Sequence, residues 1–232
     1  QEALQGELFR ALNNFVREGR PNRIVLMHGP NGSAKSTAAA CIMRALEHYS
    51  TLDVGALYRF HWVFPSHREL KDQIDARLFV EVRDHPLFLL PEDARTALLD
   101  RLYRESGTQD PPPTWISSGN LSHKSKQVYE ALLSSYEGSL EEVLRHVQVE
   151  RYFISQRYRV GAVTLGPQLS VDAGERQVTA DRSLSALPSA LQAVTLFEAF
   201  GELIEAAGGL LEFSDILKRP LDAFKYLQIT AE

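Results

Sequence analysis

Nine consecutive residues limit what this chain can fold into more than any other feature: GPNGSAKST at positions 29–37. They follow the apolar run RIVLMH (23–28) and precede the alanine-rich stretch STAAACIMRALEHY (36–49). Strand, small-residue loop, then helix is the setting in which G-x-x-x-x-G-K-[ST] binds the phosphates of a nucleoside triphosphate. Small residues at Gly29, Pro30, Asn31, Gly32, Ser33 and Ala34 let successive backbone N–H groups curl around a phosphate. The start of the following helix adds partial positive charge. Lys35 is placed to reach the β- and γ-phosphates, Ser36 to ligate Mg2+, and Thr37 to meet the α-phosphate. Ala34 stands where the pattern has its second glycine. Its methyl group is tolerated at helical dihedrals and strained at positive φ. ATP with Mg2+ is therefore the expected ligand pair.

A triphosphate site of this kind also needs an acid at the end of a neighbouring strand, to hold the metal through water and polarise the attacking water. GGLLEFSD (208–215) supplies two candidates. Asp215 follows an apolar strand and precedes the helix-like ILKRPLDAFKYL. Glu212 lies within the strand and is its rival. Asp215 also suits a helix cap. Ser214 takes the place of one member of the usual Asp–Glu pair, which argues against vigorous hydrolysis.

Around these motifs the pattern predicts an α/β P-loop fold: a parallel sheet, flanking helices, and an inserted helical and β-hairpin region. Leu4, Leu8, Leu12 and Phe15 set a first helix over 2–18, and LYRFHWVF (57–64) reads as a second strand. Tyr58, Phe60, Trp62 and Phe64 are expected to alternate between core and surface. Helices are expected over 92–105, 122–146 and 184–206, with a proline-bearing connector at 107–119 between the first two. The β-rich text of 149–164 suggests a hairpin, and 210–213 a short strand. One domain fits the 232 residues, divided into a P-loop unit (22–65), a helical insertion (92–146), a β-rich hairpin region (147–183) and the acid-bearing region (184–232).

Composition removes several alternatives. The formal net charge is −5, which gives no support to nucleic-acid or membrane-surface binding. No apolar run of about 18 residues is present. The single cysteine, Cys41, sits in an apolar helical context and reads as a small core residue. Together with the absence of a signal-peptide pattern, this makes the cytoplasm the expected location. The seven histidines show no metal-ligand spacing. Neither an LSGGQ-type transporter signature nor the glycine loop, H-R-D and D-F-G of conventional protein kinases occurs. Arg151, Arg157, Arg159, Arg176 and Arg182 cluster in the β-rich region. They read as a solvated or salt-bridged face, a partner surface, or a source of a trans-acting arginine.

Gly201, Leu203, Ala206, Gly209 and Leu211 resemble the G-x-L-x-x-A-x-x-G-x-L entry to the acidic strand in AAA+ ATPases of the magnesium-chelatase and MoxR type. The resemblance narrows in LSHKSKQVYEALL (121–133), in residues 146–184 and in GGLLEFSDILKRPLDAFKYL (208–227). These stretches resemble the bacterial PrkA family, described as serine protein kinases built on an AAA+ module. The likeness covers most of the chain from about residue 22 and is most specific over 146–227. It implies an ATPase tied to protein phosphorylation or remodelling in stress response, with Lys35, Asp215 and Glu212 as its catalytic groups and Ser36 and Asp215 on the metal. It further implies SpoVR-like or von Willebrand A-domain protein partners and assembly into a homo-oligomer. Family members are longer, so the chain is expected to be a fragment that stops before the sensor asparagine and the arginine-bearing lid. An ATP-dependent regulatory scaffold with little turnover is the competing expectation, favoured by Ala34 and Ser214.

Overall fold

The computed structural model describes residues 2–18, 24–64, 76–108, 111–166, 173–178, 187–215 and 218. In chain order the elements are α1 (Glu2–Glu18), α2 (Lys35–Thr51), β1 (Leu57–Phe64), β2 (Ala76–Leu78), α3 (Glu92–Glu105) and α4 (Thr114–Ser117). They continue with α5 (His123–Ser135), α6 (Leu140–Leu144), β3 (Val147–Tyr152), β4 (Ala162–Leu165), β5 (Ala173–Gln177) and α7 (Ser189–Gln192). The last are β6 (Phe197–Gly201), α8 (Glu202–Glu205) and β7 (Leu210–Phe213). The fold is mixed α/β with small sheets: β2-β1-β3 antiparallel, β4-β7 parallel, and β5-β6 antiparallel. Among the described residues, parallel pairing is thus confined to one pair of strands, where a parallel sheet was expected.

The largest core lies between the three-stranded sheet and the helices. Phe60, Trp62 and Phe64 of β1 pack with Val128 and Leu132 of α5, Val143 of α6 and Leu191 of α7. Residues two apart on a strand share a face, so these aromatics point the same way rather than alternating. Tyr58 continues their row into solvent, and the opposite face buries His61 under Phe79, with ring centroids 4.8 Å apart. A smaller core joins Met43 of α2 to Ile154, Ala162, Leu57 and Leu210, and ties α2 to β1, β4 and β7.

Several expectations are corrected. Residues 24–30 form no strand, and Ile24, Val25 and Leu26 are 54%, 50% and 69% exposed. An apolar run predicts burial, but a strand needs a partner, and β4 and β7 pair with each other. The 122–146 helix is two, because Glu137 (φ 52°) and Gly138 (φ 87°) turn the chain left-handed after α5. Ser139 then accepts from the Glu142 amide and starts α6. The connector at 107–119 contains α4. The 149–164 hairpin does not form: β3 joins β1, β4 joins β7, and only a tight turn closed by Ser155 and Val160 lies between. The 184–206 segment is α7, β6 and α8 rather than one helix, with Gly201 (φ 113°) making the bend into α8. Cys41 is exposed: α2 buries Ala39 and Met43, and two residues' offset from each puts Cys41 on the far side of the helix. Among the described residues no helix is long and apolar enough to cross a membrane. Arg182 and the helix expected after Asp215 lie largely or wholly outside the described residues.

Candidate functional site

The glycine loop closes directly onto α2. Ser33 donates its amide to the Pro30 carbonyl at 3.3 Å, and the Ala34 carbonyl accepts the first helical bond, from Ala38, at 2.9 Å. Gly32 (φ 80°) and Ala34 (φ 63°) both take left-handed backbone. Ala34 therefore has the positive φ at which its methyl group is strained. The Lys35 ammonium folds back over the loop, donating to the carbonyls of Gly29 and Pro30 at 2.8 Å each and to Ser33 Oγ at 3.1 Å. All three ammonium donors have acceptors. Asn31, Gly32, Ser33, Ser36 and Thr37 are exposed around it. The N-terminus of α2 has neither a side-chain cap nor an acid in its first turn, so its positive end is uncompensated.

Three contacts orient α2 against residues 154–164. Ser50 Oγ accepts from the Ile154 amide at 3.0 Å, Glu47 accepts from the Gln156 amide at 2.6 Å, and Met43 Sδ meets Thr164 Oγ1 at 3.6 Å. The chain from 154 to 164 thus runs back along α2 toward its start. Thr164 is paired with Glu212 in β7. The strand ends at Phe213, and Ser214 and Asp215 leave it in a turn. The two candidate acids differ in setting. Glu212 lies within β7, its carboxylate accepting from Thr164 Oγ1 at 2.9 Å, with Gln156 donating to the same hydroxyl at 3.1 Å. Asp215 lies just beyond the strand, after Ser214, whose amide extends the ladder to the Leu165 carbonyl. Its backbone is left-handed (φ 49°), its carboxylate half-exposed and 3.0 Å from Lys218 Nζ.

The arginines of the β-rich region are largely engaged within the fold. Arg151 donates to the carbonyls of Ser50, Thr51 and Leu52 and pairs with Asp53, capping the end of α2. Arg159 pairs with Glu202 and Glu205, and Arg176 with Glu198. Arg157 stacks over Tyr158 at 5.5 Å.

Sequence reasoning passed over a second polar centre, in the loop after β2. Glu81 binds Lys124, and Asp84 accepts from both the amide and the hydroxyl of Ser122 (2.9 and 2.7 Å) at the start of α5. Arg83 donates to the carbonyls of Ile204, Glu205 and Ala207 at 3.1, 2.5 and 3.1 Å. Burial pushes its pKa down. Arg95 is buried and donates to Ser117, Gly119 and Leu87 carbonyls. Charged residues scattered singly through E-x-R-D-H carry no spacing signal, so only the fold brings them to their partners.

No family model and no solved structure matches the chain. The chain is similar to the ATP-dependent protease PrkA of Bacillus subtilis (strain 168), 29% identical over 198 residues, covering 84% of this chain and 26% of that protein. The likeness supports a distant relationship to PrkA proteins. The chain spans about a quarter of that relative's length.

Proposed function

We propose that this chain is an ATP-binding and ATP-hydrolysing module of the P-loop, AAA+ type, working within a PrkA-like enzyme on a protein substrate. The observation that carries the reading is the Lys35 ammonium held by the Gly29 and Pro30 carbonyls and Ser33 at the uncapped start of α2. A cation over a small-residue loop at a bare helix start suits a polyphosphate. Lys35 exchanges its loop acceptors for β- and γ-phosphate oxygens, and residues 29–34 and Thr37 line the phosphates. Ser36 and Asp215 suit Mg2+, which supplies charge neutralisation at the phosphates. Asp215 is favoured over Glu212 as the acid because it stands just past the end of β7, where such an acid is expected, whereas Glu212 lies within the strand and is bound to Thr164.

The work done on protein is either the ATP-dependent proteolysis in the relative's name or the serine phosphorylation that the family resemblance implies. A cytoplasmic homo-oligomer with a protein partner belongs to the same proposal. The left-handed Ala34 and the Asp215–Lys218 pair favour a second reading, a scaffold that binds ATP and turns it over slowly.

Turnover and binding of ATP by the full chain, with and without Lys35→Ala, separate these readings. An ATPase loses both properties in the variant. A scaffold binds ATP in a Lys35-dependent way but hydrolyses it no faster than the variant does. Wild type that binds no better than the variant removes both. For phosphorylation, transfer of labelled γ-phosphate to protein must vanish with Lys35.

A further inference from the structure

We propose that Arg83 is a positioning residue for the nucleotide site, setting the place of Asp215 through the junction from which β7 starts. The inference rests on the reading of Asp215 as the acid of an ATPase. The guanidinium grips three carbonyls, those of Ile204, Glu205 and Ala207, at the end of α8 and in the turn that leads into β7. The Glu205 carbonyl it holds also accepts from the Gly161 amide at 2.8 Å, and the Gly161 carbonyl accepts from Leu210 at 2.9 Å. Arg83, Glu205, Gly161 and Leu210 therefore form one continuous chain of bonds at the first rung of the β4–β7 pair. Tyr152 packs over the same junction, with Arg83 5.9 Å and Arg59 5.6 Å from its ring centroid.

The grip has a fixed base. The flanking residues Glu81 and Asp84 are bound to Lys124 and Ser122 on α5, so the loop that carries Arg83 is anchored to the helical layer. Arg83 itself adopts φ 59°, a left-handed conformation that points to a tightly specified loop. β7 has four residues and pairs with β4 alone among the described strands. Where such a short strand begins decides where Asp215 ends up. A planar fork with several donors suits three converging carbonyls, and a lysine does not replace it.

The test is a double-mutant cycle on the full chain: Arg83→Met, Arg83→Lys and Asp215→Asn, with each Arg83 variant also combined with Asp215→Asn. The readouts are the Kd of a fluorescent ATP analogue, kcat and KM for ATP, and thermal unfolding. Arg83→Met is expected to leave the Kd within about twofold while kcat falls about tenfold or more, since a misplacement near 1 Å costs up to about a hundredfold. Arg83→Lys recovers part of kcat. In the Asp215→Asn background, replacing Arg83 costs less than about twofold further. An equal loss in both backgrounds, or an unchanged kcat in Arg83→Met, overturns the proposal. Should Arg83→Met not fold, the Arg83→Lys cycle decides by the same criterion. Failure of the underlying ATPase reading looks different: wild-type turnover then equals that of Lys35→Ala before any Arg83 variant is made.

Discussion

Ala34 brings backbone strain to the proposed phosphate loop. An L-residue in the left-handed region costs about 1–2 kcal/mol, and Ala34 sits there at φ 63° as the cap of α2. Glycine removes that strain but loses about 0.5–1 kcal/mol more chain entropy on folding. Ala34→Gly is therefore expected to stabilise the chain by about 0.5–1 kcal/mol in urea denaturation, and Ala34→Val to destabilise it. A loss of stability in the glycine variant would show that loop contacts of the methyl group outweigh the dihedral cost. His85 gives a second test. Burial, and secondarily Arg95, lower its pKa from 6.5 to about 4. Its Nδ1 accepts from the Leu87 amide at 3.3 Å, and its ring packs near Phe88 and Trp115. Burial also lowers His61, although Glu150 opposes the shift. His61 Nδ1 accepts from the Val80 amide and Nε2 faces Glu150, so the neutral ring with Nε2–H fits both. Both folded pKa values lie below the unfolded value, so the folded state binds fewer protons. The stabilisation is complete above about pH 6.5 and falls as pH drops toward 4. Its size at His85 is on the order of 2 kcal/mol after allowance for solvent exposure. Denaturation midpoints at pH 7.5 and 5 should show the decline, and His85→Asn should reduce it.

Among the elements, β7 is the one on which the proposed site depends. A Cβ built on Gly209 lies 1.7 Å from the Gly161 carbonyl oxygen, a backbone atom that cannot swing aside. Gly209→Ala must therefore part the β4–β7 junction, with an expected destabilisation of about 2–3 kcal/mol. Turnover should fall below that of wild type; a variant as stable as wild type would mean that the two strands separate without cost. Gly209 was legible in the sequence as part of a motif, but not as a steric contact with residue 161. The same limit runs through the fold. α1, α3 and β1 were readable to the residue, because their periodic patterns and boundary residues are local. The strand predicted at 23–28 and the helix predicted at 184–206 failed because pairing is not local: Ile24–Val25–Leu26 has the composition of a buried strand, while Phe197 and Phe200 belong to a strand whose partner is β5. In the candidate site, Lys35, Ser36 and Asp215 stood out through contiguous motifs. Arg83 did not, since its three acceptors are backbone carbonyls more than a hundred residues away.

At the scale of the whole molecule, α2 is the member common to the glycine loop and the packing. Lys35 begins it, Met43 packs in its middle with Ile154 and Ala162 against Leu57 of β1 and Leu210 of β7, and Arg151 of β3 caps its end. A ligand held at the start of α2 is thus coupled to both sheets, and binding should stabilise the molecule as a unit. If the folded chain alone binds MgATP, ligand at a hundred times its Kd adds about 2.7 kcal/mol. For a chain of this size each kcal/mol moves Tm by about 2–4 °C, so the expected rise is about 5–10 °C. The shift should vanish in Lys35→Ala, shrink when Mg2+ is chelated, and persist in Arg83→Met, where acid placement rather than phosphate binding is altered. A shift that survives Lys35→Ala would locate the nucleotide elsewhere. A shift confined to a minor early transition would show that α2 and its loop unfold apart from the Phe60–Trp62–Phe64 core, and that Met43 fails to join them.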